Sequence, residues 1–211
     1  MYDRLRSLVD PTFRRQRRIA RAVANYMAAH RRRVTKQVLQ EHFAQEVVAK
    51  RGDANLTIPD LHVGTAYFDY AVFVILTALE EISRLENGDH ARQAGAEDGA
   101  VEAHVGWARG LLESLFGMDP EEAFNAVGSA VLRLPEVDPP EGQSPEAHLE
   151  WFDGAERASL RVYALAEQAG SRIAAGVARG EEQFEPTEEE FEEALPLLGI
   201  SIAAPPIDGE A

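Results

Sequence analysis

The chain has no cysteine, only two lysines (Lys36 and Lys50), and no apolar run long enough to cross a bilayer. The first absence excludes disulfides, thiolate metal ligands and cysteine nucleophiles. A spanning helix needs roughly 18 or more consecutive apolar residues. The nearest stretch, Ala66 to Leu79, is interrupted by Asp69. The N-terminus is basic but lacks the apolar segment of a secretory signal, and Asp3 and Asp10 oppose a mitochondrial transit peptide, which avoids acids. The expectation is a cytoplasmic protein without a membrane span. Also missing are a glycine-rich phosphate loop after a strand, an HExxH zinc motif, a nucleophile elbow and the kinase set. No cofactor is expected, and catalysis is the less favoured reading.

What the chain has in abundance is acid. Its 211 residues carry a net charge of −15 and are 45% hydrophobic, enough for a substantial core without staples. The charge is split along the sequence. Residues 1–52 hold 13 of the 21 Lys/Arg against four acids, a local +9, while the remainder holds 8 basic and 32 acidic groups, a local −24. Such asymmetry suggests a basic arm with its own partner.

Periodicity and punctuation read as all-α, a bundle of about seven helices with a basic amphipathic N-terminal helical arm. The arm is residues 1–52, in two helices. Asp10-Pro11 reads as a cap followed by proline at the first helical position, opening a helix to about Arg32. Phe13, Ala20, Val23, Ala24 and Met27 share its apolar face, with Ile19 and Tyr26 alongside. A second helix is expected from Thr35 through Leu39, Phe43 and Val47, stopped by Gly52. The acidic bundle then spans 53–199. Its most hydrophobic helix runs from Thr65 to Leu85 and belongs in the middle of the bundle. Asn87-Gly88 ends it. A further helix carries Val101 to Leu115, and Asp119-Pro120-Glu121-Glu122 restarts the next. Residues 134–143, rich in proline, read as a linker. Ser144-Pro145 opens a long helix to Arg179, with Gly154 and Gly170 as candidate kinks and Gly180 as its stop. Thr187-Glu188-Glu189-Glu190 reads as a capping box, and residues 200–211 as an extended tail.

Arg14, Arg15, Arg17, Arg18, Arg21, Arg31, Arg32 and Arg33 put eight guanidinium groups into twenty residues. Guanidinium groups match carboxylate and phosphate oxygens bidentately and stay charged. The favoured function is a non-catalytic interaction or assembly protein. Its arginines engage an acidic protein surface or another subunit, while Phe13, Val23 and Met27 dock on a groove. The competing bland reading is that the chain's own acids neutralise them. A nucleic-acid binder using the same arginines is the main alternative. A helix-turn-helix over Ile19–His30 and Thr35–Phe43 fits it poorly, because the next helix is too apolar for a major groove.

A second alternative is a helical-bundle enzyme, or a small-molecule or metal binder, around His104, His148 and Asp69. Glu102-Ala103-His104-Val105-Gly106-Trp107 returns as Glu146-Ala147-His148-Leu149-Glu150-Trp151. A dimetal bundle site uses Glu and His at i and i+3. Here they stand at i and i+2, roughly 200° apart on a helix, so no metal site is expected and a His–Trp packing pair fits better. Asp69 on the apolar helix needs a cation or a helix end to satisfy it, and Glu80 is the expected i,i+4 partner of Arg84. The acidic run Glu181 to Glu193 reads as a solvated helix start or as a dock for arginines of another copy.

Overall fold

A helix that is apolar on nearly every side is stable only when other helices surround it, and the fold is built on that constraint. The computed structural model describes residues 11–49, 61–87, 98–133, 154–192 and 201–202. These form α1 (Pro11–Ala49), β1 (Leu61–His62), α2 (Thr65–Asn87), α3 (Asp98–Phe116), α4 (Pro120–Leu132), α5 (Gly154–Arg179), α6 (Glu188–Glu192) and β2 (Ser201–Ile202). The chain is mostly helical, with six helices among the described residues where seven were expected. Tyr67, Tyr70 to Ile75, Ala78, Leu79 and Ile82 of α2 are all buried. α2 packs most extensively on α5 and also touches α1, α3 and α4. Its strand-forming Tyr, Phe, Val and Ile content yields to this enclosure.

The basic N-terminal segment departs from expectation in two ways. It is one helix of 39 residues rather than two. Thr35, read as a new start, turns its hydroxyl back to the Arg31 carbonyl at 2.8 Å within the same helix, so it caps nothing. With neither glycine nor proline between Pro11 and Ala49, nothing breaks the ladder, and no helix-turn-helix forms there. Nor does it project as an arm. Ile19, Val23, Tyr26, Met27 and Val34 are buried in the core that α2 and α5 share.

The remaining boundaries follow local chemistry. Asp119 caps α4 by accepting from the Glu121 and Glu122 amides, both at 2.9 Å. α5 runs unbroken through Gly170. Gly180, at φ +96°, ends it, with the Gly180 amide on the Val177 carbonyl and the Glu181 amide on the Gly176 carbonyl, each at 3.0 Å. Ser201–Ile202 pairs antiparallel with Leu61–His62, the described part of the expected tail. The Asp10 cap, the Phe43 and Val47 side chains, Gly52, Gly88, the 134–143 linker and Ser144-Pro145 lie outside the described residues.

Gly170 is a contact point between helices, not a kink. A Cβ there would stand 2.0 Å from Thr77 Oγ1 and 3.0 Å from the Ala78 amide nitrogen. The missing side chain lets the Thr77 hydroxyl, which donates to the Phe73 carbonyl at 2.7 Å, also lie 3.3 Å from the Ala166 carbonyl. Gly170→Ala should therefore destabilise by about 2 kcal/mol despite alanine's better helix propensity. Adding Thr77→Ala should recover part of that loss. Urea unfolding of the single and double variants checks both expectations.

Candidate functional site

Two groups of polar side chains stand out, one inside the bundle and one on its surface. The inner group centres on Glu190. The Thr187–Glu190 capping box forms as read, with the Glu190 amide on Thr187 Oγ1 and the Thr187 amide on Glu190 Oε2, each at 3.1 Å. But Glu190 is 0% exposed, not solvated. Burying a carboxyl group is costly unless donors surround it, and they do. Arg172 donates through Nε at 2.9 Å and a terminal nitrogen at 2.8 Å, and the Tyr26 hydroxyl donates at 3.1 Å. The Tyr26 and Tyr70 hydroxyls are 2.7 Å apart. Since Tyr26 gives its proton to Glu190, Tyr70 donates to Tyr26. Burial, with the neighbouring hydroxyl and Glu190 adding to it, pushes the Tyr26 phenol far up. Burial lowers the Arg172 guanidinium, but its bonds to Glu190 outweigh that and leave it raised.

His30 continues the network. Its Nδ1 lies 3.1 Å from the Tyr67 hydroxyl, and its ring is surrounded by those of Tyr26, Tyr67, Tyr70 and Phe191. Nε2 is buried without a hydrogen-bond partner among the described residues. Burial holds the imidazole down at about 4, with Glu190 pulling it up and Arg33 pushing it further down. Sequence reasoning missed His30, Arg172 and the burial of Glu190. One signal was available: His30 follows Tyr26 at i+4 and Met27 at i+3, on the apolar face.

The outer group is what remains of the arginine ridge. Arg33 pairs with Glu188 and lies over the Phe191 ring at 4.1 Å. Arg31 donates to the Leu115 carbonyl at the end of α3 and covers Phe116 at 5.3 Å, a cation at the negative end of a helix. Arg15 is half-buried and engaged within the chain, and Arg18 reaches the Val177 carbonyl at 3.4 Å. Arg14, Arg17, Arg21 and Arg32 are exposed and have no ion-pair partner among the described residues. At 100° per residue these four fall within a sector roughly 60° wide, over about 27 Å of helix. The apolar residues expected to accompany them are used internally. Val23 and Met27 are 0% exposed, and Phe13 packs on the Trp107 ring at 6.0 Å. Val23 and Met27 are thus spent inside the fold and not open to a partner, whereas Phe13 is half-buried.

The other candidates are not brought together. Asp69 is held by Arg133 in a bidentate pair at 2.8 and 2.6 Å, beside a cavity of about 60 Å³ that includes Ser159. His104 is half-buried, and burial lowers its pKa although Glu80 opposes the shift. Its neighbour Trp107 has Phe13 as ring partner. His148 lies outside the described residues, among which no three metal-binding side chains converge. Arg84 bonds Glu81 rather than the expected Glu80.

Two predictions follow from the inner group. Glu190→Ala strands Arg172 and Tyr26 and should cost about 3 kcal/mol. Glu189→Ala, exposed one residue earlier, should stay within about 0.5 kcal/mol by denaturant unfolding. The second concerns pH. The unfolded imidazole of His30 takes up a proton near 6.5 and the folded one only near 4, so the unfolded state binds more protons between those values. His30 is therefore fully compatible with the fold above pH 6.5, and stability falls as pH drops toward 4. The loss should be on the order of 3 kcal/mol, and His30→Gln should remove that part of the pH dependence of thermal unfolding.

No protein-family model matches the chain, and neither a curated protein nor a solved structure matches it.

Proposed function

We propose that this is a non-catalytic interaction protein whose α1 arginines engage the acidic surface of a protein partner. The observation that carries this reading is the row Arg14, Arg17, Arg21 and Arg32, exposed and without ion-pair partners among the described residues, in a chain of net charge −15. Arg33, by contrast, has a carboxyl partner and an aromatic one. Exposed guanidinium groups on a rigid, core-anchored helix steer an anionic surface into register, affecting association rate and specificity more than affinity.

Nucleic acid is the competing anion. Duplex DNA carries a charge about every 1.7 Å along its axis. A body rich in carboxylates meets strong repulsion from that density within a Debye length of about 8 Å. A protein surface with scattered carboxylates asks less of the row.

Binding of labelled polyglutamate and of a duplex oligonucleotide, each across a salt series, tests the reading. The wild-type chain should hold polyglutamate at low salt. Changing Arg14, Arg17, Arg21 and Arg32 to Glu should weaken it at least about tenfold with helicity unchanged. Undiminished binding by the variant would refute the proposal, and a clear preference for the duplex would replace it with the nucleic-acid reading.

A further inference from the structure

The chemistry of the partner can be narrowed from the surface beside the arginine row. α1 and α3 do not close against each other along their outer edge, where two open cavities follow one another. The first, of about 220 Å³, is lined by Ala20, Ala24, Trp107 and Leu111 among others. The second, of about 580 Å³, is lined by Ala28, Leu39 and Leu115 together with Arg31, Arg32 and Lys36. Small α1 side chains leave the space. From Ala20 to Leu39 the seam extends roughly 28 Å along the helix.

The floor of this seam is apolar and its α1 rim is cationic. Arg17, Arg21, Arg32 and Lys36 are exposed and have no ion-pair partner among the described residues. Arg31 is committed to the end of α3. An occupant must therefore offer apolar groups along one edge and negative charge along the adjoining one. A nucleic-acid strand lacks the apolar side chains, and an acyl chain gains little from a groove open along its length. A helix presenting side chains at i, i+4 and i+7 matches both the length and the lateral separation.

Resting on the proposed function, we infer that the α1–α3 seam takes an acidic amphipathic helix of a partner protein. Its apolar edge lies over Ala24, Ala28 and Leu115, and its carboxylates meet Arg17, Arg21, Arg32 and Lys36.

Fluorescence anisotropy with two labelled peptides of about 18 residues, identical in glutamate and leucine content, tests this. In one the leucines fall on a single helical edge; in the other they are scattered. The patterned peptide should bind the full chain at least about tenfold more tightly. Ala28→Trp, which fills the larger cavity, should erase that preference, and Arg21→Glu with Arg32→Glu should weaken both peptides. Circular dichroism and the unfolding midpoint confirm that each variant is folded. If Ala28→Trp does not fold, Ala28→Gln reads the same cavity. Equal binding of the two peptides, still lost on arginine reversal, would overturn the seam while leaving the electrostatic reading intact. Binding of neither peptide would overturn both.

Discussion

Glu190, Arg172 and Tyr26 meet at a single buried point, and that meeting fixes two neighbouring C-terminal helices, α5 and α6, to the N-terminal α1. The carboxyl group must be surrounded by donors to be buried at all, so α6 cannot slide along α5 without losing Arg172. α1 cannot rotate without losing Tyr26. A shift of one residue would turn α1 by about 100°, taking Tyr26 off Glu190 and His30 off Tyr67. The same turn would carry the outer arginines toward the core. The inner network thus sets which face of the basic helix meets solvent.

Opposite charges coexist here because the acidic segment uses its backbone as much as its carboxylates. Residues 181–192 lie alongside α1. Asn25 meets the Glu182 carbonyl at 3.4 Å, and just before the segment Arg18 meets the Val177 carbonyl. Phe184 folds back over Gly176. Among the described α1 arginines, Arg33 takes a carboxylate from the segment, that of Glu188, while Glu190 is held by Arg172 and Glu181 by Arg179. Glu182, Glu185, Glu189 and Glu192 stay exposed. The segment therefore covers one flank of α1 without neutralising the other.

The sequence made the helices legible where punctuation is local. Asp119-Pro120, Gly180 and the Thr187–Glu190 box each mark a boundary by chemistry confined to a few residues, and each stands where it was read. The apolar girdle of α2 announced its central place. What could not be read was tertiary. The Arg31–Arg33 run looks like an interruption, yet the Val34 side chain beside it is buried and carries the helix onward. Arg33 and Arg31 look like members of one ridge, but which guanidinium meets a carboxyl group or a helix end depends on contacts 84 to 155 residues away in sequence. Glu190 is indistinguishable by composition from its exposed neighbours, because only packing decides that Tyr26 and Arg172 will reach it.

The energetics of α1 separate its two faces. Arg14, Arg17, Arg18 and Arg21 stand at i, i+3, i+4 and i+7, where like charges destabilise an isolated helix by roughly 0.2–0.5 kcal/mol per pair. The helix persists because Ile19, Val23, Tyr26 and Met27 bury its opposite side, each worth about 1.5–3 kcal/mol. Arg31 and Arg33 contribute to the fold through a helix end, aromatic rings and a carboxylate. Arg14, Arg17, Arg21 and Arg32 have no ion pair among the described residues, and the first three stand close enough along the helix to repel one another. Like charges at those spacings gain the helix nothing, so its stability comes from the buried face and not from the arginine row.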